Sequence, residues 1–147
     1  MHSEEADAAG RVVADGRLSS GPDTRRLEET LGRLLEVPFV STTTSGSTAL
    51  LIALKACGVG AGDEVIVANR TFIATAHAVL LSGADVCLVD TLEHMPLIDP
   101  DEVRLAVTPR TKAIICIHLN GRSCQIRELR QIADAHGIFL IEDAAQA

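Results

Sequence analysis

Two rhythms of apolar and polar positions alternate along this chain. Leu27, Leu31, Leu34 and Leu35 recur at helical spacing behind Gly21-Pro22-Asp23. Proline is tolerated in a first turn, so the spacing predicts an amphipathic helix over 23–36, ended by Pro38. Residues 39–43 read as a short β-branched strand. The run 49–57 is rich in helix formers and stops at Gly58, a plausible C-cap. The pattern then changes period repeatedly: a strand over 64–68, a mostly apolar helix over 71–82 closed by Gly83, a strand over 85–89. Asp99-Pro100 opens another helix, with Asp as N-cap and Pro as first helical residue. A strand follows over 113–117. A helix over 125–136 carries Ile126, Leu129, Ile132 and Ala133 on its apolar face, and Gly137 closes it. Ile138 to Ile141 are apolar without a break and too few for a helix, which predicts a strand buried on both faces.

Strand and helix thus alternate along nearly the whole chain. That order predicts an α/β fold, a three-layer α/β/α arrangement with a mostly parallel sheet and helices on both faces. Residues 1–20 are polar, with Gly10, Gly16 and paired serines, and read as a loose N-terminal segment ahead of a domain over 21–147.

Composition narrows the partners. The 147 residues suffice for one domain with a real core, and 22% charged residues with 47% hydrophobic ones argue against disorder. Net charge is −7 and no Lys/Arg cluster occurs, which argues against nucleic acid and acidic membrane surfaces as partners. No stretch approaches the ~20 apolar residues that span a bilayer, and the N-terminus has no signal-peptide pattern. Cys57, Cys87, Cys116 and Cys124 form no C-x-x-C pair and no zinc spacing. Reduced thiols in a cytoplasmic protein, with no metal site, are the expectation. There are three Phe and no Tyr or Trp, so an aromatic at a site stands out.

Several strand ends carry chemistry, and in parallel α/β sheets ligands sit beyond the carboxyl ends of the strands. Ser45-Gly46-Ser47-Thr48 opens a helix. The first amides of a helix lack partners, the peptide dipoles add positive charge there, and Gly46 lets a ligand come close. With the hydroxyls of Ser47 and Thr48 this makes a competent phosphate cradle, although a Ser/Thr-rich helix start is more often only a cap. It is neither a Walker loop nor a dinucleotide fingerprint. Phe72, flanked by Thr71 and Thr75, can stack on a planar ligand or simply fill the core. Asp143 can cap a following segment or face a cationic heterocycle, and Gln146 adds a neutral hydrogen bond. His118, at another strand end, reads as a satisfied structural residue.

In order, these words resemble the N-terminal part of the DegT/StrS-type sugar aminotransferases, pyridoxal-phosphate enzymes of fold type I. The matching words are Ser45-Gly46-Ser47-Thr48-Ala49-Leu50, Gly62-Asp63-Glu64-Val65-Ile66 and Thr71-Phe72-Ile73-Ala74-Thr75-Ala76. Pro109-Arg110-Thr111-Lys112, His118-Leu119-Asn120-Gly121 and Ile141-Glu142-Asp143-Ala144-Ala145-Gln146-Ala147 follow. Each word is weak; the ordered set is specific. The resemblance implies that Gly46, Ser47 and Thr48 hold the cofactor phosphate and that Phe72 stacks on the pyridine ring. Asp143 would pair with the ring nitrogen and Gln146 with the phenolic oxygen. It implies pyridoxal 5'-phosphate as cofactor, a nucleotide-linked keto sugar as substrate, L-glutamate as amino donor, and a homodimer.

The chain departs from that pattern in one decisive respect. The family's Schiff-base lysine follows the Asp143 position by a few tens of residues, past Ala147, and neither Lys55 nor Lys112 matches its motif. The expectation is therefore a chain that stops short of the catalytic lysine and of the small C-terminal domain, inactive by itself and prone to self-association. Two alternatives stay open: a sugar dehydratase of the same family, with His in place of the lysine, or a non-catalytic remnant that binds a cofactor or partner. Asn120 stands where the family often has Tyr, and Ser47 where it often has Thr.

Overall fold

Among the described residues four strands lie side by side, all parallel, in the order β2-β1-β3-β4. They are β1 (Glu64–Ala68), β2 (Asp85–Val89), β3 (Thr111–Ile117) and β4 (Phe139–Asp143). The computed structural model describes residues 3–16 and 19–147. The chain forms two compact units, Met1–Thr42 and Thr43–Ala147, and the sheet belongs to the second.

The sheet is central because its two inner strands are apolar on both faces. Side chains alternate across a strand, so Val65, Val67, Ala113, Ile115 and Ile117 point one way and Ile66, Ala68, Ile114 and Cys116 the other. The first set packs on α3 (Gly46–Ala56) and α4 (Ala74–Ser82), through Leu50, Leu54, Ala78 and Val79. The second packs on α5 (Pro100–Ala106) and α6 (Ile126–His136), through Val103, Leu129, Ile132 and Ala133. This is the three-layer α/β/α arrangement that the alternating pattern predicts. Gly83 and Gly137 close α4 and α6 at φ +88° and +64°, a region glycine enters without strain. At the amino ends of the strands, Arg110 forks to Glu64 at 2.5 Å and Asp85 at 2.9 Å, tying β1 to β2.

Three expectations are corrected. Residues 39–43 form no strand: Thr42 gives both its N–H and its hydroxyl to Glu28 Oε1 at 2.8 Å, so its backbone donor serves a side chain and not a ladder. The final strand is not buried on both faces. Among the described residues only β3 pairs with β4, and Phe139 and Glu142 are exposed. A short apolar run cannot distinguish a central strand from an edge one. The segment expected to be loose contains a helix, α1 (Ser3–Ala14), with Glu4 and Glu5 in its first turn and Arg11 in its last, the polarity that suits the helix dipole. α1 buries no residue, and residues 1, 2, 17 and 18 of that expected segment lie outside the described residues. The first unit also contains α2 (Pro22–Leu34), close to the predicted span.

Candidate active site

Ser45 starts α3 in an extended conformation, and its Oγ accepts the Thr48 N–H at 3.2 Å. The Thr48 hydroxyl also shares hydrogen bonds with Ser45 Oγ at 3.0 Å and Thr44 Oγ1 at 3.3 Å. Thr48 is therefore occupied with the cap. Gly46 and Ser47, one step earlier, line a cleft of about 210 Å³. Gly46 has no side chain to fill it: a Cβ there would meet no atom within 4 Å.

The other walls come from strand ends. Thr71, Phe72, Ala74 and Thr75 lie beyond β1, Ile117 and Leu119 at the end of β3, and Asp143, Ala145 and Gln146 at the end of β4. Hydroxyls of Thr71 and Thr75 meet at 3.1 Å, fixing the chain on either side of Phe72, whose ring is 70% exposed. Asp143 Oδ1 accepts the Ala145 N–H at 3.0 Å, which leaves Oδ2 for a ligand. Gln146 Oε1 accepts the Asn120 N–H at 2.7 Å. A backbone amide can only donate, so the facing atom is the amide oxygen. The NH2 group of Gln146 is then the part that remains to bind, a donor seeking an acceptor.

Of the six residues singled out in the sequence, five line this one cleft: Gly46, Ser47, Phe72, Asp143 and Gln146. Thr48 does not; its hydroxyl and amide close the N-cap. The roles of Ser45 and Asn120 were not foreseen. A Ser three residues ahead of Thr48 at a helix start is a capping signal that could have found the first. The Asn120-Gly121 pair, at φ +58° and +72°, is a left-handed turn signal for the second. Lys55 and Lys112 stay outside the cleft: Lys55 donates to the Ser82 carbonyl at 2.7 Å, and Lys112 is the second residue of β3, at the amino end of the strand.

Behind the cleft, His118 is buried and held three ways. Its N–H donates to the Asp143 carbonyl at 3.0 Å. Its Nδ1 accepts the Cys124 N–H at 3.1 Å, and its Nε2 lies 3.2 Å from Glu142 Oε2. The four cysteines are free thiols. A hydrogen bond with Cys124, together with burial, pushes the Cys116 thiol up.

The full length of the chain, residues 1–147, matches the profile of the DegT/DnrJ/EryC1/StrS aminotransferase family. The chain belongs to that family.

Its relatives agree. It is 42% identical over 144 residues to dTDP-3-amino-3,4,6-trideoxy-alpha-D-glucose transaminase of Streptomyces venezuelae, covering 97% of this chain and 38% of that protein. It is 38% identical to the spore coat polysaccharide biosynthesis protein SpsC of Bacillus subtilis, covering 98% of this chain and 37% of that one. Among solved structures, S. venezuelae DesV superposes with a TM-score of 0.94 at 41% identity, over 99% of this chain and 39% of DesV. B. subtilis NtdA, solved with bound PMP, superposes at 0.92 and 38% identity, over 97% of this chain and 33% of NtdA. This DegT-family chain thus spans well under half the length of the relatives it matches. Among its described residues no helix is long and apolar enough to cross a membrane.

Proposed function

We propose that residues 43–147 form part of a cofactor-binding domain that holds pyridoxal 5'-phosphate. The protein would serve a cytoplasmic, homodimeric aminotransferase that moves an amino group from L-glutamate to a nucleotide-linked keto sugar. The observation that carries this reading is the shared cleft of Gly46, Ser47, Phe72, Asp143 and Gln146, drawn from segments far apart in the chain. The naming of the S. venezuelae relative for a dTDP-linked amino sugar supports the substrate class.

The donor set fits that cofactor. The α3 N-terminus presents unpaired amides and a hydroxyl to a dianion, over the open space that Gly46 leaves. Phe72 offers an aromatic face to a planar ring. Asp143 Oδ2 sits free for a protonated ring nitrogen, a charge-assisted hydrogen bond worth about 1.5–3 kcal/mol. Gln146 offers an N–H donor to a phenolate oxygen. When bound, the cofactor supplies an electron sink. Asp143 keeps a proton on the ring nitrogen, Gln146 fixes the ring's rotation, and α3 anchors its tail. Thr48 acts here through the cap, holding the helix start in place.

The test is a titration of the protein with pyridoxal phosphate, followed by absorbance, beside one with pyridoxal. The expected result is a saturable band shift with the phosphate ester and a far weaker one without it. Equal response to both, or none to either, would overturn the reading. Because Lys55 and Lys112 lie outside the cleft, borohydride should leave no adduct on either.

A further inference from the structure

We propose that His118 is a positioning residue for Asp143, locked as a neutral imidazole that carries its proton on Nε2. The inference rests on the reading of Asp143 as the group that meets a ring nitrogen. It goes beyond that reading in assigning what holds the carboxylate there.

The Cys124 backbone N–H points at His118 Nδ1 at 3.1 Å, and an amide N–H cannot accept. Nδ1 must therefore present its lone pair. The ring proton is then on Nε2, 3.2 Å from the Glu142 carboxylate. The pair resembles a salt bridge by distance, but a second ring proton would face the Cys124 N–H, donor against donor. It is a neutral donor on an anionic acceptor. The same residue's own N–H binds the Asp143 carbonyl at 3.0 Å. One residue at the end of β3 thus grips both Glu142 and Asp143.

The ladder between β3 and β4 ends at Ile117 and Asp143, and His118 grips β4 at that last pair. His118 lies within 8% of full burial while Glu142 is part exposed, so the ring is the fixed partner and the strand end is the part being held. Asp143 follows directly, and its Oδ1 takes the Ala145 N–H.

The experiment uses 15N-labelled protein and reads three things. Ring nitrogen shifts report the tautomer, and Nε2–H is expected; Nδ1–H would overturn the proposal. Solvent exchange of the Ala145 amide reports whether Asp143 is in place. Glu142→Ala and His118→Asn should each speed that exchange about tenfold, the loss of one hydrogen bond to a charged group. Glu142→Gln, which keeps the acceptor, should restore it. The same variants should weaken pyridoxal phosphate binding about tenfold. Unchanged Ala145 exchange in Glu142→Ala would overturn the proposal even if His118→Asn fails to fold. Should the unaltered protein bind no pyridoxal phosphate, the cofactor reading falls, and Ala145 exchange still decides for or against the grip.

Discussion

The Asn120 N–H and Gln146 Oε1 meet at 2.7 Å across 26 positions of chain. Asn120 sits at φ +58°, ψ +33°, a left-handed conformation that Asn adopts more readily than most residues. The turn aims its amide at the segment after β4 and so decides which half of the Gln146 amide is left over. Gln146→Glu would keep the acceptor for Asn120 and remove the remaining donor. Pyridoxal phosphate affinity should drop about tenfold, with the far-ultraviolet spectrum unchanged. An unaltered affinity would show that Gln146 faces no ligand acceptor.

The Ser45 cap gives a prediction about stability. Ser45→Ala removes the acceptor of the Thr48 N–H, and should lower unfolding free energy by about 1 kcal/mol. Ser45→Gly should lose only a few tenths, since glycine tolerates the cap backbone. Urea midpoints at constant slope would read the difference.

Leu54 on α3 is fully buried against the sheet, whereas Leu105 on α5 is 82% exposed. Leu54→Ala should destabilise by about 2–5 kcal/mol, and Leu105→Ala by no more than about 0.5 kcal/mol. Equal losses in denaturant melts would contradict the assignment of α3 to the core.

Glu28 carries an acid-sensitive contact. The Thr42 backbone N–H, then its hydroxyl, hold the Glu28 carboxyl below its ordinary 4.5. A carboxyl depressed in the folded state stabilises it most above the unfolded value, and the gain disappears as pH falls through the folded one. Stability measured from neutral pH downward should therefore fall below about 4.5, and Glu28→Gln should flatten that decline. A decline identical in both proteins would place the acid sensitivity elsewhere.

Both outer strands leave apolar side chains uncovered, Leu88 on β2 at 60% and Phe139 on β4 at 46%. Exposed strand edges pair with other chains, and a charge on the edge discourages it. Sedimentation should show association that grows with concentration, and Phe139→Lys should reduce it. A monodisperse monomer at all concentrations would refute this.

From residue 43 onward the sequence alone determined the order of strands and helices, and strands β1 and β2 fall on their predicted residues, because a switch between periods of 2 and 3.6 is a local property of the chain. It also named five residues that share the cleft, since a helix start with glycine and hydroxyls, or a carboxylate after an apolar run, is legible one segment at a time. What it could not decide is everything set by neighbours. Residues 39–43 have the composition of a strand, but Thr42 found the Glu28 carboxylate instead. Ile138 to Ile141 read as buried on both faces, yet among the described residues only β3 lies alongside β4, and burial depends on which elements are near. Thr48 looks like a ligand donor and is taken by Ser45, and His118 looks inert until the Cys124 amide fixes its tautomer. Hydrogen bonds between residues distant in sequence are contested among several partners, and only the folded chain shows which pair formed.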